Sequence, residues 1–138
     1  MANGKESTVL GIKKVLVPID GSQSSFKTAK YALMLAKAVD ASITLLHITG
    51  EYSEEVRKRT EEWFNMIKNY PEATGININS KVVTAESIGG AIVETASKDG
   101  ADLIVISPKG ISKFAEVELG SITRAVTTNA PCSVLVVK

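Results

Sequence analysis

Five short apolar runs, rich in β-branched residues, are spaced along the chain, and a segment of different periodicity separates each from the next. They are "VLVPI" at Val15–Ile19, "SITLLHI" at Ser42–Ile48, "INSKVVTA" from Ile78, "ADLIVI" at Ala101–Ile106 and "CSVLVVK" at the C-terminal end. Runs of this length and composition read as strands. In the first intervening segment, Phe26, Ala29, Leu33, Ala36 and Val39 recur at steps of three and four, which predicts an amphipathic helix capped by Ser22 or Ser24. In the second, Val56, Trp63, Met66, Ile67 and Tyr70 form the expected apolar stripe. Glu54–Lys58 and Glu55–Arg59 stand at i,i+4 in the favoured order, and Pro71 and Gly75 end the helix. The third helix is expected over "SIGGAIVETASKDG", with Gly100 as its C-terminal cap. A short fourth starts near Gly120.

A strand–helix alternation of this kind predicts a parallel sheet with helices on both faces. Right-handed crossovers leave few topologies, of which the flavodoxin-like order 3-2-1-4-5 is the leading one. The chain has 138 residues, enough for one domain. Residues 1–11 read as a disordered tail and residues 12–138 as the domain. A net charge of +1 argues against a general nucleic-acid binder. The single cysteine, Cys132, excludes an intrachain disulfide. With no signal-like leader and no apolar run near the ~20 residues of a membrane span, the expectation is a soluble, cytoplasmic domain without membrane partners.

In such a sheet, ligands sit beyond the carboxyl ends of the strands where the strand order reverses. That point joins "VPIDGS" after the first strand to "SPKG" after the fourth. Asp20 is placed to accept a hydrogen bond from a ligand, or else to form an Asx turn or cap ahead of the first helix. Gly120-Ser121 opens the fourth helix, whose N-terminal N–H groups suit a phosphate, with Ser121 and Thr123 as added hydroxyl donors. Ordinary helix capping is the other use of Gly-Ser.

The motifs "VLVPIDGS" (Val15–Ser22), "LLHI" (Leu45–Ile48), "GADLIVI" (Gly100–Ile106), "LGS" (Leu119–Ser121) and "APCSVLVV" (Ala130–Val137) resemble the universal stress protein family over nearly the whole chain. The resemblance implies the α/β fold above, a homodimer through the fifth strand and, in one branch of the family, an ATP site. That branch carries Gly, two residues, Gly, nine residues, then Gly and Ser or Thr. Here Gly110, Gly120 and Ser121 keep the pattern, while Ser107 stands where the first glycine belongs and Pro108 follows it. The resemblance implies an adenine and ribose side formed by Pro18, Ile19, Asp20, Ile48 and Ile106, and a site position at Ser107, whose hydroxyl could serve there if that position only lines the ribose. It implies a phosphate side formed by Gly110, Gly120, Ser121, Ile122 and Thr123. Magnesium would be held through the phosphates rather than by a protein cage. Lys109 and Lys113 read as solvated loop lysines.

Ser107-Pro108 constrains this picture. A side chain at 107 limits positive φ and close approach, and Pro108 has no N–H to donate. The only histidine, His47, reads as a packed strand residue, and Cys132 as a small buried one. No Walker, GxGxxG or GxSxG motif is present. The leading expectation is a dimeric adenine-nucleotide-binding stress or signalling module, not a dedicated enzyme. A nucleotide-free dimeric scaffold of the same fold and a slow ATPase are the alternatives. Val134–Val137 would form an apolar sheet edge that a two-fold partner could pair with.

Overall fold

A computed structural model describes residues 11–109 and 119–138. The order of elements is β1 (Lys14–Pro18), α1 (Gln23–Val39), β2 (Ser42–Thr49), α2 (Glu54–Lys68), β3 (Ile78–Thr84), α3 (Ile88–Asp99), β4 (Leu103–Ile106), α4 (Ser121–Asn129) and β5 (Ser133–Val136). A single 3-10 turn, Pro71–Ala73, follows α2 where the proline ends the helix. The five strands form one sheet in the order β3-β2-β1-β4-β5, and every pairing is parallel. The fold class and strand order are those expected from the sequence.

Alternation along β1 shows how the sheet builds two cores. Val15 and Val17 face the layer made by α1 and α2, where they join Leu33, Leu45 and Ile67. Leu16 faces the opposite layer, with Leu46, Ile92, Ile104 and Val126. Successive side chains of a strand point to opposite faces, so a central strand of a doubly covered sheet is apolar throughout. The edge strand β3 departs from that rule, because Asn79, Ser80 and Lys81 are exposed. Lys81 pairs with Asp99 at 2.9 Å. Polar, charged edges discourage strand addition. At the other edge, Val134, Leu135 and Val136 of β5 are half-buried.

Local signals set the helix ends. Ser22, not Ser24, caps α1 by accepting a hydrogen bond from the Ser25 N–H. Ser53 and Ser87 cap α2 and α3 in the same way. Gly100 closes α3 in the left-handed region at φ 68°, where a glycine carries no Cβ penalty. On α2 the stripe differs from the sequence expectation. Phe64 and Thr60 are buried, and Met66 is exposed. Thr60 takes a core position because its hydroxyl donates back to the Val56 and Arg57 carbonyls. The expected pairs Glu54–Lys58 and Glu55–Arg59 give way to Arg57, which bridges Glu54 and Glu61.

Candidate functional site

β1 and β4 are adjacent while their following connections run to opposite sides of the sheet. A cleft of about 520 Å³ opens beyond their carboxyl ends. Pro18, Ile19, Asp20, Ile48 and Ile106, the residues the resemblance assigns to the adenine and ribose side, line one part of it. Ser107, Gly120, Ser121, Ile122 and Thr123 line another part. Gly110 and Lys113 lie outside the described residues.

The first part is apolar beneath and polar at the margin. Ile19, Ile48 and Ile106 are buried. Asp20 Oδ1 accepts from the Ser22 N–H at 2.9 Å and from the Ser22 hydroxyl at 2.6 Å, which is the Asx turn that delivers the chain into α1. Between them, Gly21 has φ 85°, and a Cβ there would lie 2.3 Å from Trp63 Cζ2. Glycine is required twice over, by the left-handed backbone and by the indole resting on it. The indole meets the His47 ring in a T-shaped contact with centroids 5.2 Å apart. His47 lines the cleft, and its Nδ1 is 2.7 Å from the Ile19 carbonyl oxygen. Burial pushes its imidazole below the usual histidine value; the Ile19 hydrogen bond opposes this, Arg59 adds to it and Asp20 counters it.

The second part is held by two backbone acceptors on the segment after β4. The Gly120 N–H donates to Pro108 O at 2.7 Å. The Thr123 hydroxyl donates to Ser107 O, also at 2.7 Å. Thr123 therefore corrects the expectation of a hydroxyl donor for phosphate, since its proton is committed to the chain. Gly120 has an ordinary φ of −68°, so its glycine requirement is one of space. A Cβ there would lie 3.1 Å from Lys109 Cβ and 3.3 Å from Lys109 Cα. Gly120 caps α4 without a side-chain hydrogen bond, and Arg124 N–H makes the bond to Gly120 O that begins the helix. The N–H groups of Ser121, Ile122 and Thr123 have no carbonyl a turn earlier in the helix. A helix end of this kind suits an anion.

Ser107 fits its place without left-handed strain, because Asp40 is the one non-glycine residue with positive φ among the described residues. Its neighbour Pro108 contributes a carbonyl instead of the N–H it lacks. Lys109 is half-buried against the cleft, unlike the solvated lysine expected. The sequence reading missed Arg59, Thr49, Gly50 and Ile88, all of which line the cleft. Arg59 lies over the Trp63 ring at 5.0 Å, an i,i+4 cation–aromatic pair that its spacing could have disclosed. Cys132 is half-buried, and burial pushes its thiol up, as for a packing residue rather than a nucleophile. Among the described residues, no group of three His, Cys, Asp or Glu side chains is placed to hold a metal ion.

Comparison with known proteins places this geometry among relatives. The model of the universal stress protein family matches residues 11–138. A universal stress protein of Methanocaldococcus jannaschii is 32% identical, with 91% of this chain and 82% of that protein aligned. The universal stress protein YxiE of Bacillus subtilis is also 32% identical, covering 91% of this chain and 98% of its own length. A solved universal stress protein in complex with cAMP superposes with a TM-score of 0.72 at 25% identity, covering 91% of this chain and 97% of that one.

Proposed function

The chain belongs to the universal stress protein family, and from that premise we propose that it binds an adenine nucleotide, ATP, ADP or AMP, as a homodimer without strong catalytic activity. The observation that carries the reading is one cleft with two chemistries. Ile19, Ile48 and Ile106 offer an apolar slot for a base, and the α4 N-terminus offers first-turn N–H groups, which have no partner within the helix, for phosphate. The relative crystallised with cAMP supports an adenine ligand. Asp20 uses Oδ1 within its turn, which leaves Oδ2 for a ribose hydroxyl. Ser121 and the first-turn N–H groups of α4 hold the phosphates, and Gly110 belongs to the same side by its motif spacing. Magnesium, when present, binds through phosphate oxygens and water.

Catalysis is a poor fit. Efficient phosphoryl transfer uses an acid to hold metal and a group to orient water. Among the described residues Asp20 is the only acid lining the cleft, and Ser22 already engages it. The dimer forms along β5, where Val134–Val136 leave an apolar edge that a two-fold partner pairs and covers. A second reading has an observation of its own. The Gly120 N–H and the Thr123 hydroxyl are spent inside the chain, as they would be in a scaffold that no longer binds nucleotide.

Chromatography of the supernatant from denatured, purified protein separates the two. Adenine nucleotide approaching one per chain supports the binding module. Its absence, together with no thermal shift on adding ATP, ADP or AMP, supports the scaffold. Sedimentation of the native chain against Val136→Lys tests the β5 pairing, with a dimer expected for the first and a monomer for the second.

A further inference from the structure

Trp63 of α2 stands behind the cleft rather than in its lining, yet it touches parts of three elements that build the rim. Its indole rests on Gly21, the residue after Asp20: a Cβ on Gly21 would lie 2.6 Å from Cη2 and 2.9 Å from Cε2. The same ring meets His47 of β2, and Phe26 in the first turn of α1 meets it in a T-shaped contact at 6.4 Å. Four described glycines have positive φ. An added Cβ on Gly11, Gly75 or Gly100 would have nothing within 4 Å, so Gly21 alone of the four is covered. An Asx turn needs its own hydrogen bond and a glycine to form, not a cover. The indole is therefore a separate restraint on where the turn points. That direction matters for Asp20. Among the described residues both of its hydrogen bonds, from the Ser22 N–H and hydroxyl, are made through Oδ1. The place of Oδ2 in the cleft follows from the tilt of the turn as a unit.

We propose that Trp63 is a positioning residue for the ribose side of the cleft: its indole, seated on Gly21, holds the Asp20 turn at the tilt that brings Oδ2 to a ribose hydroxyl. This inference rests on the nucleotide reading above and on its use of Asp20. Trp63 touches no part of the ligand and acts through the carboxylate. A hydrogen bond to a charged acceptor is strong only when its distance and angle are right. A carboxylate held in place before the ligand arrives spares the cost of ordering it during binding.

The test uses ATP and 2′,3′-dideoxy-ATP, which share base and triphosphate and differ in the ribose hydroxyls. Calorimetric affinities for both are measured with the wild type, Asp20→Ser, Trp63→Phe and the double variant. The wild type is expected to prefer ATP by about tenfold. Asp20→Ser keeps a hydroxyl oxygen for the turn, removes Oδ2 and should abolish the preference. Trp63→Phe keeps a ring beside His47 but ends short of the Cζ2 and Cη2 atoms that cover Gly21, and should remove most of the preference. In the Asp20→Ser background it should change the ratio no further. A merely structural Trp63 would weaken both ligands alike and leave the ratio unmoved. If Trp63→Phe does not fold, Trp63→Leu, which removes the ring and keeps an apolar side chain, is expected to give the same fall. ATP binding with no preference in the wild type, or with a preference that a folded Trp63 variant retains, overturns the inference and leaves the nucleotide reading intact. Failure of both ligands to bind the wild type overturns both.

Discussion

Thr123→Val isolates one buried hydrogen bond and asks what it holds. Thr123 is 2% exposed, and its hydroxyl donates to Ser107 O at 2.7 Å. Ser107 is itself buried, and no other donor reaches that carbonyl among the described residues. Valine matches threonine in shape, so the substitution creates no cavity and leaves the carbonyl unpaired. An unsatisfied buried acceptor costs about 1–3 kcal/mol. Removing the buried hydroxyl gives back part of that, so a net loss of about 1–2 kcal/mol is expected. At roughly 2 cal/mol/K per residue, a chain of this length has an unfolding entropy near 0.3 kcal/mol/K. The expected fall in Tm is therefore about 3–7 °C. Scanning calorimetry of wild type, Thr123→Val and Thr123→Ser measures it. Thr123→Ser keeps the hydroxyl and should retain ligand affinity even where it loses some stability with the methyl group. Thr123→Val should lose both, because one of the two hydrogen bonds that tie the segment after β4 to the start of α4 is gone and only Gly120 N–H to Pro108 O remains. A Thr123→Val protein as stable as wild type and equal in affinity would refute the claim that this bond positions the cleft wall.

Three further outcomes follow from the same geometry. The folded His47 imidazole lies below its usual value, so the unfolded chain takes up its proton first as pH falls. Its contribution to stability is complete above about pH 6.5 and is lost as pH falls towards the folded value; His47→Phe should flatten that slope in urea titrations at pH 7.5 and 5. Gly21→Ala forces a side chain into φ 85° and into the Trp63 ring, and should cost about 2 kcal/mol or more. Trp63 is the sole tryptophan, so its fluorescence reports both the unfolding midpoint and any displacement of the ring. Thr28 is buried with its hydroxyl unpartnered, so Thr28→Val should raise stability by about 1 kcal/mol, and a lower Tm would show that the hydroxyl has a partner in solution.

The topology was legible because its causes are periodic. Strands apolar on both faces, separated by helices with one apolar stripe, admit few arrangements, and the caps at Ser22 and Gly100 are single-residue decisions. Phe64 and Met66 were harder, because both lie near the stripe and the packing of α2 on the sheet decides between them. Topology brought together the segments after β1 and β4, while Ile48, Ile106 and the assignment of the start of α4 to the same site came from the family resemblance. Thr123 lies in the cleft lining, but the use of its hydroxyl was not visible. Whether a hydroxyl faces a ligand or the carbonyl of Ser107 depends on a contact across sixteen residues of chain. Arg59 was missed because its charge read as half of a surface pair with Glu55, while the structure lays it on Trp63. Gly120 was read as a phosphate-side glycine from its motif; the structure puts it in the cleft lining, where glycine is called for by the close approach of Lys109 and not by φ.

Calorimetric titration of magnesium-ATP into the wild-type chain and Gly120→Val tests the central claim most directly. The valine must push Lys109 away from the start of α4, since even a Cβ at 120 lies 3.1 Å from Lys109 Cβ. Saturable binding with Kd below about 100 μM, corresponding to roughly 5–6 kcal/mol, is expected for the wild type and should be lost in a Gly120→Val protein whose circular dichroism remains that of the folded chain. No heat from the wild type with ATP, ADP or AMP, or undiminished binding in Gly120→Val, would contradict a nucleotide site built on the switch point between β1 and β4.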